Sequence, residues 1–402
     1  MRLTYTSEVE AFRAEFSAWL DANLPDEAAT AIRPRSSADI PAWARDFQRR
    51  MFDDGWLVPG YPPEFGGRNA SLYKQAVFWE ELGRRRVTQS FNPQGLGIVS
   101  ASIITFGTEE QKHRWAVPIM RAERTAALGM SEPGAGSDLA GLTTRAVLDG
   151  DRFIVNGQKV WTSGAHDADV LLAFVRTDPD VPKHKGISAL IIETDTPGLV
   201  RRPFGDITGR PPDFNEVFFD DVPVPRENLV GELNDGWRVC TGSLAHEREM
   251  LWILWSQGLD RMLDDMLEQL NEGAGAGAGA AGDPVVLDGL GGSIMDSWAL
   301  RLLGQRQLAR SQRGLRVADQ SLLKLLGSEA QQKLALLMLE SLGPVALDRT
   351  VPEGAQSPYE SDRSALSWAD RYWFTFAGTI SGGTSEIHRN IIAERVLGQP
   401  RG

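Results

Sequence analysis

The 402 residues carry 42 Lys and Arg against 54 Asp and Glu, a formal charge of −12, with 42% hydrophobic and 24% charged residues. That length suits two or three domains with a sizeable core, and the acidic balance excludes non-specific binding to nucleic acid, which needs a basic face. The single cysteine, Cys240, excludes an intramolecular disulfide. MRLTYTSEVEAFRAEF lacks the apolar core of a signal peptide, GQPRG carries no targeting or lipidation motif, and no apolar run is long enough to span a bilayer. The expected setting is the reducing cytoplasm, with no membrane span.

Taken in chain order, the first 120 residues predict helices. Ser7-Glu8-Val9-Glu10 predicts a capping box, and Phe12, Phe16, Trp19 and Leu20 follow at helical spacing. PPEFGG (62–67) predicts a loop and Ser71 to Arg84 a helix. Leu96 to Phe106 is apolar on nearly every face, as a buried helix would be. From about Arg121 the pattern becomes β. Phe153-Ile154-Val155 and Lys159-Val160-Trp161 flank Asn156-Gly157, a strong hairpin signal. Val170 to Val175 and Ile187 to Ile192 are short β-branched runs, and Glu216 to Phe219 leads into DDVPVP (220–225), expected to close the strands. Helical periodicity returns from Asp235, broken by GAGAGAGAAGDP (273–284), expected to be a flexible loop. The order predicts an α+β chain: an N-terminal helical domain (1–120), a middle antiparallel β-domain (121–232) and a C-terminal domain like a four-helix bundle (233–402).

Four stretches could carry chemistry. GMSEPGAGSDLAG (129–141) can bring several backbone N–H groups to a flat or anionic ligand. It is neither a Rossmann fingerprint, since Leu139 stands where the third glycine belongs, nor a Walker loop, nor a nucleophile elbow. Alone, it reads as a tight surface turn. In KVWTSGA (159–165) alternation puts Trp161 and Ser163 on one strand face, a wall for a conjugated ring or simply a core tryptophan. SLAHEREMLWILW (243–255) reads as a helix with Glu247, Arg248 and Glu249 in its first turns. A partly buried carboxylate there is a candidate base, and charges favoured by the helix dipole are the plainer reading. TISGGTSEIHRN (379–390) reads as a helix start offering N–H groups to a phosphate or ribose, or as a capped turn. The five histidines are scattered, and no spacing suggests a metal site.

Together, in this order, these stretches resemble the acyl-CoA dehydrogenase family over almost the whole chain. GMSEPGAGSD matches a family signature. GWLVPGYPPEFGG (55–67), FGTEEQK (106–112), NEVFFDDVPVPRENLVGE (215–232) and GGTSEIHRNIIAERVLG (382–398) resemble other family patterns. The resemblance implies FAD and oxidation of an acyl-CoA thioester to the trans-2-enoyl-CoA in lipid β-oxidation. It places Met130, Ser131, Gly136 and Ser137 on the flavin and pyrophosphate, and Trp161 over one flavin face. Ser163 would lie near flavin N5, Thr384 and Glu386 at the adenosine side, and Ser137 and Arg248 also beside substrate. Many members carry the catalytic Glu where this chain has Gly382. Others place it in a Glu-Arg pair on the helix after the β-domain, which matches Glu247-Arg248. The implied base is Glu247, with Gly382 keeping only a backbone N–H for the thioester oxygen.

The chain departs from the family pattern at two places that normally serve FAD across a subunit interface. The Gly/Ala-rich run replaces a stretch containing an Arg, and Glu340-Ser341-Leu342-Gly343-Pro344 replaces a Gln followed by Gly-Gly. A carboxylate there would repel a pyrophosphate by roughly a kcal/mol or more. This resembles actinobacterial α2β2 enzymes acting on bulky acyl chains such as steroid side chains. The implied partners are a second acyl-CoA dehydrogenase-like subunit, or further copies of this chain, and an electron-transfer flavoprotein as acceptor. The competing expectations are a flavin oxidase or monooxygenase on the same scaffold and a non-catalytic partner subunit.

Overall fold

The computed structural model describes residues 4–26, 37–208, 213–248, 250–273, 282–315, 319–349 and 367–400. The chain divides into two compact units, each assembled from separated stretches of sequence. No helix among the described residues is long and apolar enough to cross a membrane.

The helical unit joins α1 (Ser7–Asn23) and α3 (Leu72–Arg84) to the C-terminal helices α8 (Leu251–Gly273), α9 (Pro284–Ser311), α10 (Asp319–Leu342), α11 (Trp368–Ile380) and α12 (Ser385–Ile391). In α1 the expected apolar stripe is buried through Val9, Phe12, Phe16 and Leu20. The cap falls one residue earlier than the sequence suggests: Thr6, not Ser7, accepts from the Val9 N–H, and Glu10 instead pairs with Arg13 at 2.9 Å. Trp252, Leu259, Leu263 and Met266 of α8 pack with Leu290, Leu300 and Leu308 of α9 and Leu334 and Met338 of α10. The Gly/Ala-rich run lies mostly outside the described residues, and Asp283 caps α9 beyond it. On α9, Leu287, Ile294, Met295, Trp298 and Leu302 stay exposed at spacings that place them in one stripe.

The second unit holds α2 (Ala42–Asp53), α4 (Ala101–Phe106), α5 (Glu109–Gln111), α6 (Val117–Met120), all eight strands and nearly all of α7 (Gly236–Arg248). The buried run from Leu96 opens as a π-helical segment, Gly95–Ser100, before α4 continues it. The strands are β1 (Ala126–Gly129), β2 (Arg145–Asp149), β3 (Arg152–Lys159), β4 (Val170–Arg176), β5 (Ile187–Glu193), β6 (Leu199–Phe204), β7 (Phe214–Pro225) and β8 (Leu229–Val230). They lie in the order β6-β7-β3-β2-β4-β5-β8. The sheet is mostly antiparallel, but β4 is met in parallel by β1 and, at one pair, by β2. Strand β4 is buried on both faces: Val170, Leu172 and Phe174 meet Val99, Ile103 and Trp115, while Leu171, Ala173 and Val175 join Phe153, Val155 and Val217. That double burial explains its unbroken apolar sequence.

Three local expectations are corrected. Asn156-Gly157 is not a hairpin turn; both lie inside β3, and the chain reverses at Gly150, where φ is +62°. Opposite them β7 carries one extra residue, since Val155 pairs with Val222 but Gly157 with Phe219. Asn156 and Asp221 exchange bonds across this bulge at 2.8 and 2.9 Å. DDVPVP is itself strand and closes the strands only in part: β7 ends at its last residue, Pro225, and the short β8 follows. SLAHEREMLWILW is not one helix: α7 ends at Arg248 and α8 starts at Leu251, so Glu247 lies in a last turn and not a first.

Gly157 has φ +145°, and a Cβ there would stand 2.7 Å from the Thr144 Cα. Gly157→Ala is therefore expected to cost about 1–3 kcal/mol. A Tm equal to wild type would show that β3 can move away from Thr144.

Candidate functional site

The chain leaves β1 at Gly129 and enters the signature loop. Glu132 and Ala135 exchange backbone hydrogen bonds of 3.0 Å each, closing a turn with Pro133-Gly134 at its tip. A Cβ built at Gly134 or Gly136 meets nothing within 4 Å, so the loop presents bare backbone to open space. Gly136 and Ser137 are exposed, and Met130 and Ser131 half-buried.

Glu132 turns inward. It accepts from the Thr143 N–H at 2.6 Å, the Thr143 hydroxyl at 2.9 Å and the Thr144 N–H at 2.8 Å. Lys159, the last residue of β3 and wholly buried, donates to Glu132 at 2.8 Å and to the Met130 carbonyl at 3.0 Å. Arg176 of β4 holds the far end of the loop by donating to the Ala140 carbonyl at 2.6 Å and the Leu142 carbonyl at 3.2 Å. Burial alone would raise the Glu132 pKa, but the Lys159 charge and the Thr143 and Thr144 donors outweigh it and hold it at about 2. Burial brings Lys159 down to about 8 against the pull of Glu132. At neutral pH the pair is charged on both sides.

Because the folded carboxyl of Glu132 titrates below its ordinary value of 4.5, its contribution is complete above that value and is lost as pH falls toward about 2. Acid unfolding followed by near-UV circular dichroism should therefore begin earlier in wild type than its exposed carboxylates require. Glu132→Gln should flatten the stability profile in that window. An identical profile in the variant would refute the assignment.

Past Lys159 the strand ends, so alternation does not set the direction of Trp161. Trp161 has φ +61° and is 58% exposed, an uncommon backbone state for a bulky residue. Its indole meets Phe204 and Phe214 edge-on at 5.1 and 5.4 Å, at the ends of β6 and β7. Thr162 and Asn215 exchange backbone bonds of 3.1 Å, and Gly164 donates to the Asp213 carbonyl at 2.8 Å. Ser163 is half-buried between these anchors. The Val160 N–H donates to the Ser131 carbonyl at 2.9 Å, which brings the Met130–Ser131 and Trp161–Ser163 segments together.

In the helical unit, Gly382 and Gly383 turn the chain between α11 and α12 with φ of +64° and +96°. Lys324 donates to the Gly383 carbonyl at 2.6 Å, and buried His388 reaches the Gly382 carbonyl through Nε2 at 3.1 Å. Thr384 caps α12 by accepting from the Ile387 N–H at 3.2 Å, and exposed Glu386 pairs with Arg389 at 3.2 Å. A Cβ at Gly382 would meet nothing within 4 Å, so the absent side chain leaves open space. Glu247 and Arg248 close α7; their side chains, and all of Glu249, lie outside the described residues.

Comparison with known proteins decides the family. The acyl-CoA dehydrogenase N-terminal, middle and C-terminal domain families match residues 6–123, 127–222 and 234–397. The acyl-CoA dehydrogenase IpdE1 of Mycobacterium tuberculosis is 36% identical over 403 residues, covering 98% of each chain. The chain belongs to the acyl-CoA dehydrogenase family. Acyl-CoA dehydrogenase FadE29 of the same organism is 35% identical over 408 residues, covering 100% of this chain and 99% of that one. Among solved structures, the ChsE4-ChsE5 complex of M. tuberculosis superposes with a TM-score of 0.81 at 33% identity, covering 100% of both chains. The Tcur3481-Tcur3483 steroid acyl-CoA dehydrogenase also gives 0.81, at 30% identity and the same coverage. The charged residues that brace the signature loop, Glu132, Lys159 and Arg176, are not among those the sequence marks. The first two stand inside quoted motifs, but a charge in a sequence gives no sign that it is buried.

Proposed function

We propose that this enzyme oxidises a bulky acyl-CoA thioester, such as one derived from a steroid side chain, to the trans-2-enoyl-CoA with FAD as cofactor. The observation that carries the proposal is the exposed Trp161 indole, steadied edge-on by Phe204 and Phe214 and tied through Val160 to the bare backbone of the signature loop. A planar conjugated ring suits that surface, and the loop at Gly134 and Gly136 leaves room for a pyrophosphate. Met130, Ser131, Gly136, Ser137, Trp161 and Ser163 would hold FAD, with Thr384 and Glu386 toward its adenosine. When bound, FAD supplies the two-electron acceptor for the β-hydride.

The chain's own residues supply the rest. Glu247 takes the α-proton, whose acidity is far too low for water at neutral pH. The Gly382 N–H donates to the thioester oxygen, where negative charge grows as the proton leaves. Ser137 and Arg248 lie on the substrate side. The open space at Gly382 favours a large acyl group. ChsE4-ChsE5 is a complex of two components. This chain is proposed to work likewise with a related subunit, which would complete the FAD site that Glu340 to Pro344 leaves short, and to pass electrons to an electron-transfer flavoprotein. The exposed α9 stripe supports assembly with another subunit.

Co-purification with the products of neighbouring genes, with FAD counted per complex, tests this reading. The expected result is a heteromer with fewer FAD than subunits that is bleached by a steroid side-chain CoA thioester. A homotetramer with one tightly held FAD per subunit would overturn the heteromeric assignment.

A further inference from the structure

The Glu132–Lys159 pair does more than close a loop. Glu132 is already met by three donors from Thr143 and Thr144, and an apolar pair of the same shape would hold the two segments without the desolvation cost of two enclosed charges. What the ammonium adds is its second bond, to the Met130 carbonyl. That carbonyl belongs to the same peptide unit as the Ser131 N–H, which has no acceptor among the described residues. A charged donor on the oxygen of an amide draws electron density from its nitrogen and strengthens the N–H as a donor. Lys159 also stands two residues before Trp161, so one pair fixes both segments assigned to the flavin ring.

We propose that Glu132 and Lys159 are positioning residues for the flavin: they set the spacing between Met130–Ser131 and Trp161–Ser163, and Lys159, through the Met130 carbonyl, makes the Ser131 N–H a stronger donor to the bound ring. The inference rests on the FAD reading above. A stronger donor beside the ring favours its electron-rich reduced form, so the pair raises the reduction potential as well as the affinity.

The test uses the full chain with whatever subunit co-purifies, reconstituted with FAD, and reads the FAD Kd by flavin fluorescence and the midpoint potential by dye-equilibrated reduction. The double variant Glu132→Gln/Lys159→Met removes both charges and keeps the volume. It is expected to bind FAD about tenfold more weakly or worse and to show a more negative potential, while Lys159→Arg, which keeps the cation, recovers most of both. A folded double variant with wild-type Kd and potential would overturn the inference. If the double variant does not fold, Thr143→Val decides, since it loses only the hydroxyl donor to Glu132: about two- to fivefold weaker FAD binding supports the inference, and unchanged binding overturns it. A wild-type protein that takes up no FAD would instead defeat the cofactor reading and this inference with it.

Discussion

Replacing Glu247 with glutamine is expected to slow reduction of bound flavin by an acyl-CoA thioester by about 10²–10⁴-fold, with FAD content unchanged. The amide has nearly the same shape as the carboxylate but cannot accept the proton. Glu247 stands in the last turn of α7, where the helix dipole disfavours a negative charge. The plainer reading, a surface charge placed to suit a helix start, therefore loses its physical basis. Stopped-flow bleaching under anaerobic conditions gives the answer. Wild-type bleaching in Glu247→Gln would remove Glu247 as the base and send the search elsewhere in the chain.

Lys159→Met carries the largest expected cost in stability. It leaves the Glu132 carboxylate enclosed with hydrogen-bond donors but without the ammonium bonded to it, a change typically worth about 3–5 kcal/mol. The loss should show as a lower denaturant midpoint with an unchanged slope. Its pH dependence follows from the sign of the change. Losing Lys159 removes the charge that lowers the Glu132 pKa, so the pKa rises from about 2; the deficit is full at neutral pH and shrinks as acid neutralises the carboxyl. The double change Glu132→Gln/Lys159→Met should recover most of the loss. Equal stability of Lys159→Met and wild type at neutral pH would mean that the pair contributes no net electrostatic energy.

The sequence shows the pattern of elements better than their exact ends. Phe12, Phe16 and Leu20 declare a helix because the stripe repeats along one segment, and Val170 to Val175 declares a strand because both faces are buried. Asn156-Gly157 misleads because a tight turn and a strand facing a bulge place the same demand on the backbone there. The deciding residue, Asp221, lies in a partner strand 65 positions away. The signature loop and Trp161 are legible as motifs. Their support is not, because Glu132 and Lys159 are 27 residues apart and look like ordinary surface charges until the fold encloses them. The missing side chain at Gly382 is read directly from the sequence, and the structure adds that a Cβ there would meet no described atom within 4 Å.

The path of the chain through the two units has a consequence for synthesis on the ribosome. Every element of the sheet-bearing unit up to Glu247 has emerged before α8 to α12 exist, whereas α1 and α3 belong with those late helices. At roughly 5–20 residues per second, α3 waits about 10–40 s before α8 is complete. During that interval the side of α3 that will meet α8 has no α8 to cover it, while α1 is already at hand. The nascent protein thus carries an adhesive apolar surface throughout that interval, and its yield should depend on holding chaperones more than its final stability would suggest.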